Sequence, residues 1–298
     1  MKKIGFIGTG NMGGAVAIVA KNSGLETEIL LSNRSPKKAE ELAEKLGACA
    51  KVSTNKEIAQ TCDMIFLGVK PYFMEDMLAE LKDDLKARAA GAQAAQSADS
   101  AEAGAGSASA SARPCAPAGA SFVLVSMAAG LSTEDIQRMA GGDYPVIRMM
   151  PNTPIVTGSG VIQYCGKDIQ SEADYEFFKN LMKPAGLVDE LEERLIDAAS
   201  AVSGCGPAFC YMFIEALADG GVAVGLPRDK AMKYAAKMVE GAGKMVLDSG
   251  DHPGKLKDAV CSPGGTTIQG VRTLEERGFR GAAMDAVIAD YEKTVGIK

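Results

Sequence analysis

The sequence has no tryptophan, a single histidine and no CxxC pair among its seven cysteines. A His-rich or paired-thiol metal centre therefore has no ligands to draw on, and no metal site is expected. One histidine also gives no basis for arguing a Ser-His-Asp or Cys-His arrangement. His252, set in Ser249-Gly250-Asp251-His252-Pro253, reads as an exposed turn residue. The scattered thiols of Cys49, Cys62, Cys115, Cys165, Cys205, Cys210 and Cys261 read as small apolar side chains in a reducing cytoplasm. Basic charge is scarce as well. A net charge of −6 and a pI near 5.1 argue against a nucleic-acid partner. The apolar start of the chain is broken by glycines within a few residues, which excludes a signal peptide. The longest apolar stretch, Ala208 to Leu226, carries Glu215 and Asp219 in its middle and reads as a buried helix, not a membrane span.

An apolar fraction of 47% over 298 residues suits a soluble globular chain of two domains. The first half alternates short apolar runs with amphipathic stretches, the pattern of an α/β fold with a Rossmann-type parallel sheet. Strands are expected at Ile4 to Ile7, Glu28 to Ser32, Met64 to Val69, Phe122 to Ser126 and Val146 to Met149. Helices are expected from Met12 to Ser23 and from a Ser35-Pro36 cap to Gly47. Between Ala87 and Gly119, 24 of 33 residues are Ala, Ser or Gly. Such a segment buries too little surface to offset its ordering entropy, so residues 87–119 read as a flexible insertion.

From about Ser171 the periodicity turns helical, over Ala173 to Met182, Glu193 to Ser203, Pro207 to Val224, Arg228 to Leu247 and Thr266 to Arg277. The expected division is a dinucleotide-binding domain at 1–160 and an all-α domain at 161–298. The helix from Pro207 is apolar around most of its circumference, which predicts burial and a place at a subunit interface.

Gly8-Thr9-Gly10-Asn11-Met12-Gly13 follows a predicted strand and opens a predicted helix, the context a dinucleotide fingerprint requires. Gly8 permits the turn, Gly10 lets the backbone approach a pyrophosphate, and Gly13 allows close helix–strand packing. An NAD site usually ends its second strand in Asp or Glu. Here Ser32-Asn33-Arg34-Ser35 stands instead, which favours the 2′-phosphate of NADPH, with NADH as the alternative. Val69-Lys70-Pro71 ends a further strand. The small residues of Ser126-Met127-Ala128-Ala129-Gly130 would let a nicotinamide lie against the backbone. Far away, Ser262-Pro263-Gly264-Gly265-Thr266-Thr267 precedes a helix and leaves free N–H groups suited to a small anion.

Together GTGNMG, VKP, AAGL, RMMPNTP, GCGPAF, IEALADGGVAVGLPR, HPGKLKDAV and SPGGTTI resemble the pyrroline-5-carboxylate reductase family over nearly the whole chain. Cys205 and Phe209 stand where that family usually has Ser and Tyr, and the Ala/Ser/Gly segment is long for it. The resemblance implies a Rossmann-type domain followed by a helical dimerisation and substrate-binding domain (161–298), an interleaved homodimer, often built into rings, and a reduction of 1-pyrroline-5-carboxylate to L-proline. It implies NADP(H) contacts at Ile7, Gly8, Thr9, Gly10, Asn11, Met12, Ser32, Asn55, Gly68, Val69, Lys70, Pro71, Met127, Ala128 and Ala129. It places the substrate carboxylate at the N–H groups of Gly265, Thr266 and Thr267, with Thr267 near the ring nitrogen and Glu193 and Ala259 as further contacts.

A protonated cyclic imine is already an electrophile, so hydride transfer needs positioning more than a strong acid. Thr267 is the candidate catalytic residue; the competing reading makes both threonines helix caps. A reductase of another small cyclic imine acid is the alternative activity. A β-hydroxyacid dehydrogenase, which shares the architecture, needs a lysine acid/base on its inter-domain helix. Ser203 to Leu226 contains no lysine.

Overall fold

A computed structural model describes residues 1–102, 122–169 and 171–296. Met1–Gly204 forms one compact unit and Cys205–Lys293 a second.

In the first unit the described strands are β1 (Lys2–Ile7), β2 (Thr27–Ser32), β3 (Ala50–Val52), β4 (Met64–Leu67), β5 (Val123–Ser126), β6 (Val146–Pro151), β7 (Gly160–Lys167) and β8 (Gly186–Glu190). They make a single sheet ordered β3-β2-β1-β4-β5-β6-β7-β8. All neighbours run parallel except β6 and β7. The order reverses direction between β1 and β4, which is where doubly wound sheets hold their ligands. Its helices are α1 (Asn11–Asn22), α2 (Pro36–Leu46), α3 (Asn55–Thr61), α4 (Met74–Ala79), α5 (Lys82–Glu102), α6 (Thr133–Ala140), α7 (Glu172–Met182) and α8 (Glu193–Ser203). One face of the sheet packs Phe6 on Phe66, Val16 and Val19 of α1, and Phe178 of α7. The other packs Ile7, Ile65 and Leu124 against Ile58, Leu78 and Ile136. Central strands covered on both faces explain the near-continuous apolar runs at β1, β4 and β5.

Two expectations are corrected here. The boundary expected at 160/161 moves to Gly204, because β7 and β8 extend the sheet and α8 belongs to the same unit. The segment expected to be flexible is helical in its first half, since α5 runs to Glu102. Buried Leu81 and Leu85 anchor the start of that helix, and the Arg88 guanidinium donates to the Ala59 carbonyl at 3.2 Å. Once nucleated there, an alanine-rich stretch propagates at little cost. The remainder of the expected insertion, with Cys115, lies outside the described residues.

The second unit is helical among its described residues: α9 (Gly206–Ala223), α10 (Arg228–Ser249), α11 (Pro253–Val260), α12 (Thr266–Glu276) and α13 (Phe279–Val295). α9 packs on α10 through Ala218, Ala231 and Ala235. The expected all-round burial of α9 is not found within one chain, where Ala218 is its one buried residue. Tyr211, Met212, Tyr234, Met238, Met284 and Ile288 are exposed. Glu193–Ala223 has the length and composition of a membrane span, but it is two helices, α8 and α9, parted at Gly204 and Cys205.

Candidate functional site

The turn after β1 is closed by backbone packed on backbone. Gly8 sits at φ +94°, the left-handed region that favours glycine. A Cβ on Gly13 would lie 2.1 Å from the Gly8 carbonyl oxygen, and one on Gly68 would lie 2.3 Å from it. Gly10 differs: a Cβ there would meet no protein atom within 4 Å. Gly10 also caps α1, with no side-chain cap and no acidic residue in the first turn. The first amides of that helix and its positive dipole end are left for an anion.

The neighbouring strand ends complete a cradle at the carboxyl edge of the sheet, since β1 lies between β2 and β4, and β4 beside β5. At the end of β2 the Ser32 hydroxyl donates to Asn55 Oδ1 at 2.6 Å, and the Thr9 amide donates to Asn33 Oδ1 at 3.2 Å. Arg34 is exposed and α2 opens with Lys37 and Lys38, no acid standing in its first turn. Ser35 is the N-cap residue of α2, though its side chain makes no cap hydrogen bond. The Gly68 amide donates to the Ile7 carbonyl at 2.8 Å, carrying Val69, Lys70 and Pro71 out beside the glycine turn. After β5 the Ala128 amide donates to the buried Ser126 hydroxyl at 3.3 Å, which fixes Met127, Ala128 and Ala129. The structure thus brings together Ile7 to Gly13, Ser32 to Ser35, Asn55, Gly68 to Pro71 and Met127 to Ala129.

In the second unit the chain turns at Gly264, φ +69°, and the Gly265 amide donates to the Ser262 carbonyl at 3.0 Å. Gly265 is the N-cap of α12 and makes no side-chain cap bond; the first turn holds no acid. Thr266 and Thr267 are the first two helical residues, both exposed. Their position inside the helix removes the capping role that the sequence left open. Ala259 lies exposed on α11, whose N-cap is His252: its Nδ1 accepts from the Gly254 amide at 3.0 Å.

A family model described as pyrroline-5-carboxylate reductase dimerisation matches residues 193–297. One described as NADP oxidoreductase, coenzyme F420-dependent, matches residues 3–90. The pyrroline-5-carboxylate reductase of Escherichia coli (strain K12) is 38% identical, over 98% of this chain and 97% of that one. The chain belongs to the pyrroline-5-carboxylate reductase family. The pea (Pisum sativum) reductase is 36% identical over 98% of this chain and 94% of its own. The crystal structure of Plasmodium falciparum pyrroline carboxylate reductase with NADP bound matches with a TM-score of 0.79 at 29% identity, covering 99% of this chain and 97% of that one. This reductase is accordingly an oxidoreductase built as a Rossmann-type unit followed by a helical dimerisation segment.

One buried network of the reductase escapes the motif reading. Arg148, on β6, is 3% exposed. It pairs with the buried Asp197 on α8 and lies 3.8 Å from Glu193. The Glu193 carboxylate accepts from Thr133 at the start of α6, so the side chain assigned to substrate is already engaged inside the first unit. Asn152 ties the same helix to the sheet, donating to the Ser203 carbonyl at 2.9 Å and accepting from the Val161 amide at 2.9 Å. RMMPNTP is in this respect a structural corner. An arginine inside an apolar strand was the available signal for the network, because a buried cation calls for a partner.

Proposed function

We propose that this reductase converts 1-pyrroline-5-carboxylate to L-proline with hydride from NADPH. The observation that carries the reading is a pair of glycine-capped helix N-termini, at Gly10 and Gly265, neither of which holds an acid. The first suits a pyrophosphate and the second a carboxylate. Open space at Gly10 fits a ligand that needs the missing Cβ. Arg34, Lys37 and Lys38, with no carboxylate at the end of β2, support NADPH over NADH.

NADPH, when bound, would supply hydride to the imine carbon, the protonated nitrogen keeping its proton to become the ring amine of proline. The remaining work belongs to the chain. Met127 to Ala129 give a small-residue floor for the nicotinamide, and Ile7 to Gly13, Ser32 to Ser35, Asn55 and Gly68 to Pro71 hold the rest of the dinucleotide. The amides of Thr266 and Thr267 anchor the substrate carboxylate, while that of Gly265, which the family resemblance also assigned to it, is turned back to the Ser262 carbonyl. The Thr267 hydroxyl, free of any cap bond, orients the ring nitrogen by a hydrogen bond. Ala259 is the further substrate-side position of the second unit.

The exposed apolar side chains of α9, α10 and α13 support a homodimer formed through the second unit, the building block of a larger ring. Free thiols at Cys49, Cys62, Cys165, Cys205, Cys210 and Cys261 suit a cytoplasmic location. Loss of NADPH absorbance with pyrroline-5-carboxylate as acceptor, with NADH run in parallel, tests the reaction. Turnover favouring NADPH is the expected result. Turnover favouring NADH discards the reading of Arg34, and no turnover with either discards the substrate.

A further inference from the structure

Two large aromatic side chains stand in solvent beside the dinucleotide cradle. Tyr72 is 67% exposed and Phe73 40% exposed, and their ring centroids are 4.4 Å apart. They follow Lys70-Pro71 directly and belong to neither core cluster of the sheet. Each has a cation over its ring: the Arg34 guanidinium lies 5.1 Å from the Phe73 centroid, and Lys70 Nζ lies 5.8 Å from that of Tyr72. Arg34 comes from the end of β2 and Phe73 from beyond β4, so the contact joins the strand ends on either side of the glycine turn. Among the described residues no carboxylate pairs with Arg34. Its guanidinium is held by an aromatic face alone, which leaves its edge donors free.

We propose that Phe73 is a positioning residue that holds the Arg34 guanidinium over its ring at the adenine end of the cradle, so that selectivity for the 2′-phosphorylated cofactor depends on an aromatic ring at position 73. The inference rests on the reading of Arg34 as the 2′-phosphate ligand. A guanidinium stacked on a ring keeps its planar fork of donors pre-organised, and less rotamer entropy is lost when a phosphate binds. Its second face is open to the adenine base, in a layered stack of Phe73, Arg34 and base. Tyr72, packed on Phe73 and covered by Lys70, braces the ring.

The test is calorimetric titration of the full-length protein, with no turnover involved, using adenosine 2′,5′-bisphosphate and adenosine 5′-monophosphate as probes. Phe73→Leu keeps an apolar side chain and removes the ring face. It should weaken the bisphosphate by about 2–5-fold, as expected for an exposed cation–π contact, and the monophosphate by much less. Phe73→Tyr should restore wild-type affinity. In an Arg34→Ala background, Phe73→Leu should change nothing further. Equal losses for both probes would overturn the proposal, and so would wild-type bisphosphate affinity in Phe73→Leu or additive effects in the double variant. If Arg34→Ala itself keeps the wild-type preference for the bisphosphate, the 2′-phosphate reading fails and this inference with it. A preference lost in Arg34→Ala but kept in Phe73→Leu removes this inference alone.

Discussion

The Glu193 carboxylate takes both donors of Thr133, the backbone amide at 2.6 Å and the hydroxyl at 2.7 Å. Thr133 is the first residue of α6, and Ser132 and Asp135 already form a capping box there. Glu193 therefore satisfies one more orphan amide of that helix, and does so with charge. Glu193→Ala should lower the unfolding free energy by about 1–3 kcal/mol, because buried donors of Thr133 lose their acceptor. Urea denaturation at fixed protein concentration reads this. Glu193→Gln, which keeps an acceptor oxygen, should lose less. A Glu193→Ala protein as stable as wild type but with a raised KM for the imine would leave Glu193 a purely substrate-binding role.

Asp197 stands to Arg148 as the partner of a cation that is almost wholly buried. Removing one member of such a pair strands the other charge, which costs about 3–5 kcal/mol. Asp197→Ala should lose about 3 kcal/mol in urea denaturation, the lower end of that range, because Glu193 still lies 3.8 Å from Arg148. Replacing both residues with apolar ones of similar volume should recover most of it, since the desolvation cost disappears together with the attraction. A double variant no more stable than the single one would argue against this account.

The glycine turn gives a sharper contrast. A Cβ at Gly13 would overlap the Gly8 carbonyl, whereas one at Gly10 would touch no protein atom. Gly13→Ala should destabilise the fold by about 1–3 kcal/mol, the usual cost of overpacking. Gly10→Ala should melt like wild type and yet weaken NADPH binding by on the order of 10-fold, because the methyl group stands where the pyrophosphate approaches. Thermal melts and NADPH titration of the two variants separate the roles. Equal NADPH affinity in Gly10→Ala and wild type would contradict the cradle.

The cofactor half was legible because its physics is local. β4 and β5 are buried throughout and β1 from Ile4 onward, so they read as apolar runs, and Gly8-Thr9-Gly10-Asn11-Met12-Gly13 announces the turn between strand and helix. β8 carries no such signal: Gly186–Glu190 is the sheet's edge, with Leu187 exposed, so no alternation marks it. β7 was masked by Gly160, Gln163 and Gly166 in an otherwise apolar run. Missing these two strands is what put the domain boundary too early. Burial in the second unit was misread for a different reason. The apolar circumference of α9 is real, but the chain covers little of it by itself. Glu193 and Arg148 meet only through the fold, and no spacing in the sequence encodes that pairing.

Burial holds the Cys62 and Cys165 thiols in the neutral form, as it does the less deeply set Cys205. It pushes the Cys62 and Cys165 pKa values up to about 11 from the ordinary 9.0. In the unfolded chain these thiols lose their protons near pH 9; in the folded protein they keep them until about pH 11. The unfolded state therefore binds fewer protons across that window, and stability falls as pH rises through it. Cys62→Ala and Cys165→Ala together should flatten the fall, measured as urea midpoints from pH 9 to pH 11. An unchanged slope would place the alkaline sensitivity in other groups.

Thr267 sits one residue inside α12, exposed, with Gly265 as the cap. A capping threonine lost to alanine costs roughly 1 kcal/mol of stability, but no such bond exists here to lose. Thr267→Ala should therefore melt within about 1 °C of wild type, as surface changes of a few tenths of a kcal/mol do. Its kcat/KM for pyrroline-5-carboxylate should fall by on the order of 10-fold, the scale of one hydrogen bond made to the reacting ring. Thr267→Ser keeps the hydroxyl and should retain most of the activity. The fall should appear in kcat as well as KM, because a bond to the ring nitrogen aligns the imine carbon for hydride. A loss confined to KM would mean that Thr267 serves the carboxylate alone. Unchanged kinetics would remove its hydroxyl from the reaction and leave the anion site to the backbone amides of residues 266 and 267.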